Sequence, residues 1–178
     1  MARSLNESND AFLRFEDPEI APESLFQLGL AFRDAGFPRN AVNHFHGSAP
    51  LYLRLGQSEQ AAPAFAEEIL AFRTHDRVVR FVPLLLESSQ LYDQLDPPEL
   101  AAQLHLLLGV NLLESGNLQP SVRSFEKSAN LYSELGLPCQ AADSFHYLGQ
   151  VYGELGEPEK SAQAMEKAKE STACAAQR

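Results

Sequence analysis

The chain has 178 residues, of which 44% are hydrophobic and 21% charged, a composition typical of a folded protein and not of a disordered one. Its 24 acidic residues outnumber its 14 basic ones, giving a formal net charge of −10. An acidic surface repels phosphate groups, which argues against nucleic-acid binding. Two cysteines, Cys139 and Cys174, are too few for a disulfide framework or a zinc knuckle, so a reducing compartment is favoured.

The sequence contains no segment that predicts a signal peptide or a membrane span. The first ten residues lack the apolar run of a signal peptide, and no stretch of about 18 consecutive apolar residues predicts a membrane span. We therefore expect a cytoplasmic protein that does not contact a membrane.

An internal repeat of about 40 residues sets the order of the predicted elements. The segment 45–56, FHGSAPLYLRLG, matches the segment 125–136, FEKSANLYSELG, at its Phe, Ser-Ala, Leu-Tyr and Leu-Gly positions. Within each repeat the apolar residues recur every three or four positions, which predicts one face of a helix. Two helices per repeat and no strands follow from this spacing.

The elements begin with residues 5–16, which match a second helix without its first and form a half repeat. Four full repeats follow at about 17–56, 57–96, 97–136 and 137–176, within a single domain, 1–178. About nine helices are predicted in all. After the half repeat they span 20–35, 38–55, 58–75, 78–95, 97–115, 119–135, 138–155 and 158–175.

Glycines and prolines recur in register with these helices. Glycines that end helices stand at 36, 56, 116, 136 and 156. A second set, Gly29, Gly109 and Gly149, falls inside the first helices, which predicts close crossings with the paired second helices. Pro50 and Pro83 fall inside second helices, so irregular geometry is expected there.

The segment 147–168, YLGQVYGELGEPEKSAQAMEKA, resembles the tetratricopeptide repeat in its Leu-Gly, Tyr, turn Gly and alternation of small and large residues. The resemblance covers roughly residues 17–176 and implies an all-α, right-handed superhelical solenoid of antiparallel helix pairs. A 40-residue period corresponds to the long-helix variants of this family. The second repeat departs most, with Ile69, Asp76 and Phe81 at positions where the pattern has small residues or glycine.

The resemblance also implies a concave groove lined by the first helices, which binds a protein partner. The implied groove residues are Phe26, Leu30, Arg33, Leu70, Arg73, Leu106, Leu107, Val110, Tyr147 and Gln150. Family members that clamp chaperone carboxylates use Lys and Asn at positions where this chain has neither. The lining is mainly apolar, and Arg33 and Arg73 are its cations, so we expect a partner segment with apolar anchors and acidic groups.

The helix predicted at 97–115 is apolar nearly all round and permits two interpretations. It is either central in the helix stack, or Leu106, Leu107 and Val110 form a hydrophobic floor for a partner. The sequence leaves both open.

Histidine and cysteine positions predict no catalytic centre and no metal or cofactor site. His44 and His46 are two residues apart on a helix and point in different directions, so they cannot share an ion. His105 occupies a core phase, and Cys139 has no neighbouring cation in sequence to activate its thiol. Phosphate-binding loops and nucleophile elbows are absent from the sequence.

Two functional hypotheses follow. The first is an adaptor that binds a peptide or amphipathic helix of another protein in its groove. The alternative is a regulatory sensor module, or a fragment of a larger signalling regulator, that binds a small ligand or signalling peptide. The half repeat at 5–16 also predicts self-association through its uncovered side.

Overall fold

The computed structural model describes residues 21–73 and 82–175. Within these ranges the protein is all-helical. The first four helices are α1 (Ala21–Asp34), α2 (Pro38–Arg54), α3 (Ser58–Arg73) and α4 (Val82–Ser89), followed by a 3-10 turn at Tyr92–Gln94. The next four are α5 (Pro98–Glu114), α6 (Leu118–Glu134), α7 (Pro138–Glu154) and α8 (Pro158–Ala175). Eight helices in the described ranges agree with the eight predicted after the half repeat.

The chain packs as two compact units, which we call the N-terminal unit (Met1–Leu95) and the C-terminal unit (Asp96–Arg178). Their boundary coincides with a predicted repeat boundary. The half repeat at 5–16 lies outside the described residues, as do Asp76, Phe81 and the side chain of Arg73. The ninth helix and self-association through the half repeat therefore stay predictions.

Consecutive helices in each unit are antiparallel, as the contacts between them show. Ser48 in the last half of α2 donates a hydrogen bond to the carbonyl of Pro22 in the first turn of α1, at 2.7 Å. In the C-terminal unit Ser128 on α6 makes the equivalent bond to the carbonyl of Ala102 on α5, at 2.9 Å. The small residues predicted at helix crossings therefore also satisfy carbonyl groups of the facing helix.

The glycine at the α5–α6 crossing is required by packing. A methyl group added at Gly109 would lie 2.6 Å from a ring carbon of the fully buried Phe125, closer than carbon atoms approach in proteins. Gly29 and Gly149 face Phe45 and Met165 in the same way. The predicted close crossings are confirmed at these three positions.

The two prolines predicted to fall inside second helices, Pro50 and Pro83, behave differently from expectation. Helix α2 runs without interruption from Pro38 to Arg54, through Pro50, so this proline does not end the helix. Within the described residues Pro83 is the second residue of α4 (Val82–Ser89), where its missing N–H removes no hydrogen bond within that stretch of helix. The fourth helix is nevertheless irregular, since it ends at Ser89 and the chain continues into the 3-10 turn.

The last helix, α8, buries only a narrow strip. Ala164 and Ala168 are buried and Met165 is partly buried, while Glu159, Lys160, Glu166, Lys167, Lys169 and Glu170 are exposed. Charged and polar side chains therefore cover most of the surface of α8. Among the described helices, none combines the length and apolarity needed to cross a membrane.

Candidate functional site

In the N-terminal unit, the predicted groove residues lie on α1 and α3 and are incompletely buried. Phe26 and Leu30 on α1 are half-buried, and the ring of Phe26 packs on that of Phe45, with centroids 5.6 Å apart. Leu70 on α3 is 38% exposed. These side chains leave apolar surface accessible on the first helices.

Arg33 is joined to α3 by an ion pair. Its guanidinium lies 2.6 Å from a carboxylate oxygen of Glu67 on α3 and 2.9 Å from that of Asp34. The bond to Glu67 is the main reason why the pKa of Arg33 is raised. The cation predicted to meet acidic groups of a partner is thus already compensated by two carboxylates of its own chain.

In the C-terminal unit, α5 and α7 bring three predicted residues together. Leu106, Val110 and Tyr147 are half-buried, and all three pack against one core cluster. That cluster consists of Val122, Phe125, Leu148, Val151 and Ala164. One side of each residue therefore contributes to the core, while the other remains accessible, and the interpretation of this surface as a floor for a partner stays a prediction.

The remaining predicted residues of this unit border the same surface. Leu107 is half-buried and Gln150 is exposed. The ring of Tyr147 stacks on Phe125, with centroids 5.3 Å apart and an angle of 7° between the planes, and His146 packs edge-on against Tyr147 at 6.2 Å. Stacking on a fully buried ring fixes the orientation of Tyr147, so its exposed edge is presented in a defined position.

A buried polar cluster in the N-terminal unit was not foreseen from the sequence. Glu68 on α3 is fully buried, and its carboxylate lies 2.9 Å from Nδ1 of His46 on α2. Ser88 on α4, also fully buried, donates to the same carboxylate at 2.9 Å and lies 3.0 Å from His46 Nδ1. We call these three residues the buried polar cluster.

Burial raises the pKa of Glu68, and the interactions with His46 and Ser88 oppose this effect only in part. Burial alone would lower the pKa of His46, but its hydrogen bond to Glu68 and the charges of Glu68 and Glu87 raise it overall. The nearby Tyr92 is also fully buried, and its pKa is raised by burial and by the charge of Glu68. Glu68 and Ser88 have no solvent exposure, whereas the side chain of His46 is 17% exposed.

Other residues considered for chemistry have structural surroundings. His44 stacks on Phe32, with centroids 5.2 Å apart, and burial lowers its pKa. His105 is 4% exposed, as its core phase predicted, and Cys139 is exposed in the first turn of α7. Across residues 21–73 and 82–175, no three His, Cys, Asp or Glu side chains gather as metal ligands would.

The helix pairs are antiparallel and cross at a glycine, and a glycine with positive φ follows most of the helices. This arrangement is typical of a helical-repeat protein. Residues 142–173 match the family model described as "Tetratricopeptide repeat". The chain therefore has an all-helical, tetratricopeptide-like fold, and residues 142–173 carry a repeat of this family.

Solved structures share the fold. The crystal structure of BtubC (BKLC) from P. vanneervenii superimposes with a TM-score of 0.61 at 19% identity, covering 96% of this chain and 71% of that chain. The crystal structure of MamA superimposes with a TM-score of 0.56 at 18% identity, covering 99% of this chain and 89% of that chain. No curated protein shows a significant sequence match to this chain.

Proposed function

We propose that the protein is an adaptor that holds a segment of another protein on the exposed faces of its first helices. Tetratricopeptide folds serve as protein-interaction scaffolds, which supports the general class. The observation that carries the finer proposal is the row of half-buried apolar side chains Leu106, Leu107, Val110 and Tyr147 on α5 and α7. A fixed aromatic edge beside aliphatic side chains is the kind of surface on which a few anchor residues supply most of the affinity.

The N-terminal unit adds a second contact region around Phe26, Leu30 and Leu70. Arg33 and Glu67 already form an ion pair in this unit, so a partner with acidic groups would compete with Glu67 for Arg33. The partner expected here has apolar anchors, and the strength of its acidic contacts depends on how easily Glu67 is displaced.

Replacing Leu107 or Tyr147 with Glu tests the apolar face. Leu107 is preferred to Leu106, because Leu106 also packs on a second core cluster with Tyr132 and its loss would disturb folding. We expect either change to remove partners recovered by crosslinking and mass spectrometry, while helical content by circular dichroism is retained. A matched control is Leu135→Glu, at the end of α6, where the leucine is 38% exposed.

Partner recovery that survives both face variants, or is lost equally in Leu135→Glu, would refute the proposal.

A separate variant tests the charge in the N-terminal unit. Glu67→Gln frees Arg33 from its partner on α3 and should strengthen binding of a partner with acidic groups by about twofold to fivefold. Glu59→Gln, an exposed change on the same helix, should leave binding unchanged.

A further inference from the structure

The helices α5 and α7 carry matching rows of residues on the face where the proposed site lies. Members of each row are spaced by four, three and four positions, so they follow one side of a helix. The row on α5 is Gln103, Leu107, Val110 and Glu114, and the row on α7 is Asp143, Tyr147, Gln150 and Glu154. In both, the middle is apolar or neutral, all members are exposed or half-buried, and the last is acidic.

The charges of these two helices all have one sign. Their charged side chains are Glu99, Glu114, Asp143 and Glu154, and neither helix contains Lys or Arg. The basic side chains described in this unit lie on the other helices, at Arg123, Lys127, Lys160, Lys167 and Lys169. The apolar centre of the face is therefore bordered by carboxylates alone on its own helices.

The carboxylates at the beginning of the two helices act on a common neighbour. Tyr132 at the end of α6 packs between Ala102 of α5 and Ala141 of α7. Burial, and then the charges of Glu99 and Asp143, raise the pKa of Tyr132 to about 12. The charges of Glu99 and Asp143 thus make one end of the face negative. The charge of Glu154 makes the other end of α7 negative as well.

We propose that this face binds an amphipathic, basic segment of another protein. Its Leu or Phe anchors would contact Leu107, Val110 and Tyr147, and Lys or Arg on either side of the anchors would pair with Asp143 and Glu154. Those two acidic positions are separated by about 16 Å along α7 at the usual helical rise, about three turns of a partner helix. This inference rests on the proposed function and specifies the partner's chemistry for the C-terminal unit.

Charge complementarity selects this occupant over two others. An acidic segment would meet carboxylates at both ends of the face, and like charges in contact oppose association. A second copy of this chain would bring its own net charge of −10 to the same surface. A basic amphipathic segment can bury its apolar side chains against the centre of the face and pair its cations with the carboxylates at the ends.

Designed peptides test the proposal directly. The probe is an 18-residue helical peptide with Leu on one face and Lys on the other, and the comparison peptides carry Glu for Lys or have the Leu and Lys order scrambled. By fluorescence anisotropy at pH 8 we expect the Leu-Lys peptide to bind at least about tenfold more tightly than the Leu-Glu peptide. The scrambled peptide controls for attraction to net charge alone.

Paired variants locate the binding. The double variant Asp143→Asn with Glu154→Gln should weaken binding of the Leu-Lys peptide by about threefold to tenfold and reduce the dependence of that binding on salt concentration. Glu159→Gln with Glu170→Gln on α8 makes the same change in net charge away from the face and should have a smaller effect. Leu107→Glu should remove the preference for the ordered peptide over the scrambled one.

Each other outcome has a definite meaning. Equal weakening by the two charge pairs would overturn this inference as nonspecific attraction. Tighter binding of the Leu-Glu peptide, still lost in Leu107→Glu, would overturn the inference and leave the proposed function standing. Binding by neither peptide, or binding that Leu107→Glu does not alter, would refute the proposed use of this face. A dimer in light scattering that Leu107→Glu dissociates would show that a second copy is the occupant.

Discussion

At position 68 a fully buried carboxylate stands where the later repeats have the buried leucines Leu108 and Leu148. Removing a charge from water costs several kcal/mol, and a buried pair recovers this only with good hydrogen-bond geometry. His46 and Ser88 supply that geometry at 2.9 Å. The buried polar cluster is therefore a place where the stability of the N-terminal unit depends on protonation.

We expect the N-terminal unit to lose stability as the pH rises above about 4.5, the ordinary pKa of a glutamate, and further as it rises above 6.5, that of a histidine. The pKa values of His46 and Glu68 are both raised, so the folded state binds protons more tightly than the unfolded state. Their contribution is present at low pH and is lost as the pH rises through the folded values. Burial lowers the pKa of His44, so the contribution of this residue to stability increases as the pH rises. His44→Gln removes that contribution and should keep or steepen the loss of stability with rising pH.

Glu68→Gln provides the decisive comparison in thermal unfolding and in hydrogen exchange of α3. The amide preserves shape but removes the carboxylate that raises the pKa of His46, leaving burial to lower it against the charge of Glu87 alone. The pH dependence from this cluster should then reverse. An unchanged pH dependence in Glu68→Gln would show that the cluster does not control it.

The crossing of α5 and α6 gives a second prediction for a single residue. Gly109→Ala places a methyl group 2.6 Å from Phe125 and should lower the free energy of unfolding by about 1–3 kcal/mol, despite the higher helix propensity of Ala. Gly153→Ala on α7 is the matched control, since the added methyl would lie 3.7 Å from Ser161, an ordinary contact. That change should stabilise by about 0.5–1 kcal/mol, and chemical denaturation measures both.

Among the elements, α2 shows how packing overrides a local signal. Its helix continues through Pro50 even though proline offers no N–H to the carbonyl of His46. The burial of Phe45, Ala49 and Tyr52 on the same helix favours continuation, because a break would remove their apolar surface from the core.

If tertiary packing holds α2 together at this site, Pro50→Ala should stabilise the protein. Restoring the missing hydrogen bond and removing the ring clash should raise the free energy of unfolding by about 1–3 kcal/mol. Pro83→Ala, in the first turn of α4, lacks both gains and should change it by less than about 1 kcal/mol. Destabilisation by Pro50→Ala would mean that the proline ring itself contributes essential packing.

At the scale of the whole molecule, the two units differ in how their cores are built. The C-terminal unit has four helices of 17 or 18 residues, whereas α4 of the N-terminal unit has 8 residues and is followed by a 3-10 turn. The N-terminal unit also contains the buried carboxylate of Glu68. A shorter helix and a buried charge both reduce local stability.

Hydrogen exchange should therefore be faster in 58–73 and 82–89 than in 98–114 and 138–154 under native conditions. The shorter helix buries less apolar surface, and the buried charge costs more as the pH rises. Mass spectrometry of peptides from the intact protein measures this difference. Equal protection throughout would show that the charge and the short helix cost nothing locally.

The sequence alone determined the helix-pair architecture, because the 40-residue period, the recurring glycines and the three- and four-residue apolar spacing are local signals. Except for the fourth helix, the predicted boundaries lie within about two residues of those observed. The resemblance to the tetratricopeptide repeat implied Leu106, Val110 and Tyr147 as groove residues, and the structure places them against one core cluster.

Only the tertiary structure decided which polar side chains meet. His46, Glu68 and Ser88 come from three helices, and Arg33 meets Glu67 from another helix, so no spacing within one helix predicts either contact. Periodicity tells which face of a helix is buried, but the partner across that face depends on crossing geometry and packing. That physical difference is why the fold could be predicted, while the buried polar cluster and the compensation of Arg33 could not.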